Sequence, residues 1–291
     1  MDPTPVHYTE DACLAFITLA ASASGNRINS AALAALHDSL DRAEKSEAVR
    51  LVLLRANGRV FCHGMDFGFF MQGAAAKPTD DPSKDCAIHG AARDAALRGD
   101  AVRAYSGLLT RMRTFPKLII ALVDGEVKAG GVGIVAAADI VIASARSSFQ
   151  LSEVFLGLLP ANVLPFLIER VGAHRAAYLT LSARTLAAAE ALACGLADEV
   201  FAEDTLEKET RAYLRTLLRA DPYALGRGKG FVEELRACGS RKEMTDKAEQ
   251  TLLDLAARSE VREAITAFEE GGLPSWSAKL KLAENLWIAG D

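Results

Sequence analysis

The chain has 291 residues, half of them hydrophobic, with 38 acidic against 33 basic side chains and a formal net charge of −5. That length suits one large domain or one domain with an appendage, and the apolar fraction supplies a sizeable core. The acidic balance argues against a general nucleic-acid-binding surface. The cysteines (Cys13, Cys62, Cys86, Cys194 and Cys238) include no C-x-x-C pair. Such an odd, scattered set reads as the reduced thiols of a cytoplasmic protein. The five histidines form neither H-E-x-x-H nor a Cys/His cluster, so no metal site is expected. There is no basic-then-apolar start of the signal-peptide kind and no apolar run long enough to span a bilayer, so no membrane association is expected.

Val6 to Glu10 and Ala12 to Leu19 read as a hairpin turning at Glu10-Asp11, with Leu14, Phe16, Ile17 and Thr18 supporting the second strand. After a small-residue loop at Ala21 to Gly25, Ser30 is a plausible N-cap for a helix carrying Leu33, Leu36 and Leu40 at helical spacing. Asp41 to Glu47 reads as its solvated end. Val49 to Leu54 is a continuous apolar strand of the kind buried on both faces, and Arg55 to Gly58 is a turn. Val60-Phe61-Cys62-His63-Gly64-Met65-Asp66-Phe67 then runs from a strand through a glycine to a helix start. Cys62 and His63 suggest a nucleophile and its base, but neighbours on a strand point to opposite faces and do not meet. Asp66 reads as a helix-start carboxylate. Gly73 to Gly99 changes character, with Ala-rich pieces and Lys77-Pro78 and Asp81-Pro82, and reads as a mobile lid with one short helix. Ala101 to Arg113 is an amphipathic helix ended by Pro116.

The stretch from Leu118 to Glu153 is the most informative. A strand, Leu118 to Val123, ends at the turn pair Asp124-Gly125. Ala129-Gly130-Gly131-Val132-Gly133 then feeds a small-residue helix, and Asp139 to Ala143 is another strand. Glycines let a ligand approach the backbone, and the first N–H groups of a helix have no internal partner. Such groups stabilise the oxyanion formed when a carbonyl becomes an enolate. The N–H groups of Met65 and Gly130 are candidates for a two-donor oxyanion hole, and Glu153, in an apolar setting, is a candidate base. Glycine-rich turns between strand and helix often serve tight packing alone. Gly131 to Ala136 also fits the dinucleotide pattern G-x-G-x-x-A, but that pattern follows its strand directly, and here several residues intervene after Val123.

Asn162 follows Leu159-Pro160-Ala161 and suits two roles, binding a polar substrate group or capping a helix from Val163 to Val171. Arg175 to Leu181 and Ala187 to Cys194 read as helices, the second stopped by Gly195, and Ala197 to Phe201 as a last strand. Beyond Thr205 the chain is helical and charged, in segments Thr205 to Ala220, Tyr223 to Cys238, Lys242 to Ser259 and Val261 to Phe268. Leu252, Leu255 and Ala256 form an apolar stripe whose default reading is core packing. Trp276 and Trp287 flank a last amphipathic piece. No long repeat is visible in the letters.

Taken together, GNRINSAAL, LVLLRANGRVFCHGMDF, LIIALVDGEVKAGGVGIVAAADIVIAS, FQLSEVFLGLLP, ARTLAAAEALACGLADEVF and EAITAFEEGGLPSW resemble the crotonase (enoyl-CoA hydratase/isomerase) superfamily over roughly Tyr8 to Trp276. The resemblance implies an α/β fold, a spiral of β-β-α repeats over 1–203 holding the active site, with a helical oligomerisation region over 204–291. It implies assembly as a homotrimer or hexamer. It implies an acyl thioester substrate carried on the phosphopantetheine of an acyl carrier protein or CoA, with no other cofactor. Met65 and Gly130 fall at the oxyanion donors and Glu153 at the principal glutamate, while Asp66, Gly131 and Asn162 fall among substrate-binding positions. Hydratases of the superfamily keep another glutamate where this chain has Gly133, which argues against two-glutamate hydration. FCHGMDF, VKAGGVG and GLLPANVLPF resemble the crotonase-type dehydratases of polyketide β-branching, which convert a 3-hydroxy-3-methylglutaryl group on its carrier into 3-methylglutaconyl. The alternatives are a Δ3-Δ2 enoyl-CoA isomerase, a general enoyl-CoA hydratase, and a non-catalytic RNA-binding or scaffold homologue, the last disfavoured by the lack of a basic stripe.

Overall fold

The computed structural model describes residues 4–71 and 86–277, together with residues 282 and 286. Strands β1 (Val6–Asp11) and β2 (Leu14–Leu19) form an antiparallel hairpin with Asp11 opposite Leu14. Its turn falls at Ala12 and Cys13 rather than at Glu10-Asp11, because Ala12 adopts a left-handed φ of 54°. Helix α1 (Ser30–Lys45) is capped by Asn29, whose side chain accepts the Ala32 N–H at 2.9 Å; Ser30 is the first helical residue rather than the cap.

One unit then recurs three times: a long strand, a tight turn, a short strand and a helical segment. Strands β3 (Leu51–Ala56) and β4 (Val60–Cys62) lead to α2 (Phe67–Met71) and α3 (Cys86–Thr114). Strands β5 (Leu118–Val123) and β6 (Glu126–Lys128) lead to α4 (Gly130–Ala137). Strands β7 (Ile140–Ser144) and β8 (Ser148–Gln150) lead to a single 3-10 turn, Glu153–Leu156, then α5 (Leu164–Val171) and α6 (Ala173–Ser182). The short β9 (Leu186–Ala187), α7 (Ala188–Cys194) and β10 (Glu199–Phe201) close this part, and α8 (Leu206–Leu218), α9 (Pro222–Arg236), α10 (Arg241–Ala256) and α11 (Ser259–Glu269) follow. Long strands build a six-stranded sheet ordered β1-β2-β3-β5-β7-β10, and short ones a four-stranded sheet ordered β4-β6-β8-β9. Among the described residues only β1/β2 and β8/β9 pair antiparallel. This is the expected spiral of β-β-α repeats. The repetition is carried by geometry, since no long repeat is visible in the letters.

Alternation along the long strands explains why the sheet is buried on both faces. Ala15, Ile17, Val52, Leu54, Ile119, Ala121 and Val123 enter one core with the small sheet, α1 and α4. Leu14, Phe16, Leu51, Leu53, Ile120 and Leu122 enter a second core beneath Leu206, Leu214 and Leu218 of α8. Each of the Val, Leu, Ile and Phe side chains among them contributes roughly 1.5–3 kcal/mol of burial free energy. Helix α3 begins at Cys86, well before the expected Ala101, because its Ala-rich first half has high helix propensity. The expected lid over 73–99 therefore overlaps α3, and the rest of it, 73–85, lies outside the described residues. The stripe at Leu252, Leu255 and Ala256 is not core: α10 buries no residue, and Leu252 is 68% exposed. Trp276 is held within the chain, donating to the Arg219 carbonyl at 3.2 Å, while Trp287 lies outside the described residues.

The C-terminal helices are tied to the core by a buried ion pair. Asp139, between α4 and β7, accepts the Ile119 N–H at 2.7 Å and the Lys229 ammonium of α9 at 2.9 Å. Lys229 also donates to the Met112 carbonyl at 2.7 Å. Both side chains are under a tenth exposed, and burial pushes the Asp139 carboxyl up and the Lys229 ammonium down. Removing one partner of such a pair strands the other, at a cost of about 3–5 kcal/mol. Asp139→Ala is expected to lower the unfolding free energy by about 3 kcal/mol in urea titration; an unchanged midpoint would show that the pair holds nothing.

Candidate active site

Strands β4, β6 and β8 are parallel neighbours, so their C-terminal ends open along one edge of the small sheet. With strands about 4.8 Å apart, the residues leaving them line up in a row roughly 10 Å long. Those residues are Met65 after β4, Gly130 after β6 and Glu153 after β8. In parallel sheets, such strand ends are where ligands bind.

The loop before α1 frees the first donor. The Ile28 N–H donates to the Gly64 carbonyl at 2.8 Å, and the Asp66 N–H donates to the Ile28 carbonyl at 2.9 Å. That parallel bridge uses the groups on either side of Met65 and leaves its own N–H facing away. Buried Asn26 fastens this loop to β4 by donating to the Val60 carbonyl at 2.7 Å. The second donor is aimed by Ala129, which adopts φ 50° and ψ −126°, a conformation rare for a residue with a side chain. Its ψ turns the following peptide so that the Gly130 N–H, at the first position of α4, has no intrahelical acceptor. Among the described residues neither N–H is paired.

Gly64 is where the two segments touch. It has φ 81°, and a Cβ built on it would stand 2.8 Å from both the Gly130 nitrogen and the Ala129 Cβ. No side chain fits there, so the peptides bearing the two donors are packed backbone against backbone.

Met65, Gly130, Glu153 and Asn162 line one open cavity of about 560 Å³. The rest of its wall is mainly apolar, with Val102, Leu158 and Leu159 among the contributors. Glu153 is the single acidic residue among the described lining residues. Its Oε2 is buried without a hydrogen-bond partner. Burial pushes its carboxyl above the ordinary carboxylate range, opposed by its own backbone N–H. Two free donors and one carboxylate of raised basicity are what proton abstraction beside a carbonyl requires. Arg27, Lys128 and His63 add positive or titratable groups to the wall, Lys128 and His63 both contacting Glu126 at 2.6 and 3.1 Å.

Other residues singled out from the sequence stand elsewhere. Asp66 does not line the cavity; its carboxylate accepts the Phe69 N–H at 3.0 Å and caps α2. Gly131 is buried behind the wall, where a Cβ would lie 2.4 Å from the Cys62 carbonyl. Asn162 does not cap α5; its Nδ2 donates to the Val102 carbonyl of α3 at 3.1 Å, which ties this wall to that helix. Cys62 and His63 form no dyad. The Cys62 thiol is buried, accepts the Gly64 N–H and is pushed up to about 12, while His63 turns to Glu126. The G-x-G-x-x-A letters lie inside α4, with β6 between them and β5, and form no dinucleotide turn. Tyr105 was not anticipated. It is 3% exposed, lines the cavity, and its hydroxyl donates to the Gly130 carbonyl. The available signal was a hydroxyl-bearing aromatic at an inward position of α3, in line with Leu108, Leu109 and Met112.

Residues 87–279 match the family model described as enoyl-CoA hydratase/isomerase. The bacillaene synthase dehydratase PksH of Bacillus subtilis (strain 168) is 32% identical over 238 residues, covering 80% of this chain and 82% of the relative. The chain belongs to the enoyl-CoA hydratase/isomerase, or crotonase, family. A trans-2-decenoyl acyl-carrier-protein isomerase of Streptococcus mutans serotype c is 28% identical over 280 residues, 96% of this chain and all of that one. The solved structure of AtuE from Pseudomonas aeruginosa superposes with a TM-score of 0.82 at 28% identity, over 94% of this chain and 99% of that one. This crotonase is accordingly an enzyme of the hydratase, dehydratase and isomerase group. Among its described residues no helix is long and apolar enough to cross a membrane.

The raised carboxyl of Glu153 has a consequence for stability. A carboxyl whose folded pKa exceeds its unfolded value binds more protons when folded, so stability falls as pH rises from the unfolded pKa through the folded one. Glu153→Gln removes that cost. The variant is expected to be more stable than the wild type at pH 7.5, with the difference shrinking on acidification and gone below the ordinary value of 4.5. Thermal unfolding at a series of pH values checks this; a Gln variant less stable at pH 7.5 contradicts it.

Proposed function

We propose that this crotonase removes water from a 3-hydroxyacyl thioester, with 3-hydroxy-3-methylglutaryl on an acyl carrier protein as substrate and 3-methylglutaconyl as product. The observation that carries the reading is the meeting, in one largely apolar cavity, of two backbone N–H groups unpaired among the described residues and one carboxylate with a buried, unpartnered oxygen. The likeness to a dehydratase of bacillaene synthesis supports the reaction class. The carrier-protein isomerase among the relatives supports a thioester on a carrier arm. Arg27 and Lys128 place positive charge on the cavity wall, suited to the phosphodiester of that arm.

In this reading the thioester oxygen accepts the Met65 and Gly130 N–H groups. Glu153 takes the C2 proton, and the C–H electron pair moves into the enolate, whose negative charge the two donors stabilise. The enolate re-forms the carbonyl as the electron pair makes the C2–C3 double bond and the C3–O bond breaks. Glu153 returns its proton to the departing hydroxide, so one carboxyl serves as base and then acid and the products are the enoyl thioester and water. Both transfers take place on one face of the substrate. The second amide hydrogen of Asn162 and its Oδ1 are suited to the substrate hydroxyl or distal carboxylate. The exposed Leu252, Leu253 and Phe268 suit contact between subunits of a trimer or hexamer.

A Δ3-Δ2 isomerase is the competing reading, because moving a proton between carbons also needs one carboxyl and two donors, and a carrier-protein isomerase is among the relatives. Mass spectrometry of the carrier-bound substrate separates them: loss of water from the hydroxymethylglutaryl group and inertness of a 3-enoyl thioester are expected, and the reverse selects the isomerase. Glu153→Gln is expected to lower turnover by about 10³-fold or more with the oligomer intact. A Gln variant of near wild-type turnover removes Glu153 from the mechanism.

A further inference from the structure

The reaction sequence above makes no use of Tyr105, yet its phenol touches the centre of the site. The ring is buried among Leu108, Leu109 and Met112, and the hydroxyl donates to the Gly130 carbonyl. The Gly130 N–H belongs to the Ala129–Gly130 peptide and the Gly130 carbonyl to the Gly130–Gly131 peptide, so the two are joined through the backbone torsions of a glycine. Glycine supplies little rotational preference of its own. Ala129 sets the aim of the Gly130 N–H, and what holds Gly130 from outside keeps it. Val132 anchors one side, donating to the Ala129 carbonyl at 2.9 Å, and Tyr105 anchors the other.

The helix beneath is shaped to admit the phenol. A Cβ at Gly133 would lie 2.3 Å from the Tyr105 oxygen, 3.0 Å from Val163 Cγ2 and 3.2 Å from Leu109 Cδ1. Any side chain at 133 would displace the hydroxyl from Gly130. The missing side chain at 133 and the phenol at 105 thus form one complementary pair.

We propose that Tyr105 is a positioning residue whose hydroxyl, by holding the Gly130 carbonyl, fixes the direction in which the Gly130 N–H meets the thioester oxygen. Gly133 is glycine because that hydroxyl must pass over it. This rests on the dehydratase reading for its catalytic consequence, but the geometry it describes is that of the donor alone. Burial keeps the phenol protonated well beyond the ordinary tyrosine range, so it donates throughout the working pH range and takes no proton from substrate.

Tyr105→Phe keeps the ring and removes the donor. The full-length variant is expected to turn over thioester about 10- to 100-fold more slowly, short of the 10²–10³-fold loss of a whole oxyanion donor. Its KM is expected to stay within about twofold, the pattern of an interaction made in the transition state. The acid limb of its pH profile is expected to match the wild type, because that limb belongs to Glu153. A second readout needs no turnover: a 3-oxoacyl thioester bound to the wild type is expected to show a near-ultraviolet enolate band, at least several-fold weaker in Tyr105→Phe. Gly133→Ala is expected to weaken the same band.

Unchanged kcat and band in Tyr105→Phe, a kcat loss matched by a KM rise, or disappearance of an alkaline limb would each overturn the proposal. If Glu153→Gln keeps full turnover while Tyr105→Phe still loses the band, the dehydratase reading falls and the positioning role stands. If the wild type gives no enolate band, both fall.

Discussion

The structure depends on one close approach, that of the backbone at Gly64 to the backbone at Gly130. No side chain intervenes, and neither segment could hold that position alone. The spiral supplies the force. Long strands locked between two hydrophobic cores fix where each turn begins, and each turn delivers a short strand to the small sheet at one-strand spacing. Parallel pairing of β4, β6 and β8 then sets three exits side by side. Each exit carries one component of the site.

Several unfavourable features are concentrated there. Ala129 is held in a conformation that costs of order 1–3 kcal/mol, two backbone N–H groups lack acceptors among the described residues, and one carboxylate oxygen is buried unpaired. Elsewhere buried polar groups are mostly satisfied, as Asp139 and Lys229 illustrate. Burial strengthens the site's electrostatics twice over. An apolar wall raises the basicity of Glu153, and the same low dielectric makes each N–H donor more effective than it would be in water. The groups that lack a protein partner are the ones that a carbonyl oxygen and an acidic C–H would engage.

Much of this was legible in the letters because its determinants are local. The strand Leu118–Val123, the turn at Asp124-Gly125 and the Gly195 stop come from short-range preferences. Met65 and Gly130 stand out in the letters as helix-start N–H groups beside glycines, and Glu153 as a lone carboxylate in an apolar setting within a family motif. What escaped reading depends on tertiary context. Ala12 closes the hairpin with a left-handed φ that alanine does not advertise. Asn29 takes the capping role that its neighbour Ser30 suits equally well by type. Asn162 reaches back to a carbonyl of α3 rather than to its own helix, a partner 60 residues away. Leu252 has the spacing of a core stripe but no covering element among the described residues. Tyr105 has no motif at all; its role exists only because α3 crosses over Gly130 and Gly133.

The account's central claim is geometric, and a crystal structure with a non-hydrolysable acyl thioester analogue tests it most directly. The analogue's carbonyl oxygen is predicted to accept both the Met65 and the Gly130 N–H within about 2.7–3.1 Å, with the Glu153 carboxyl beside C2. A carbonyl bound by neither amide, or a Glu153 side chain turned away from C2, would contradict it.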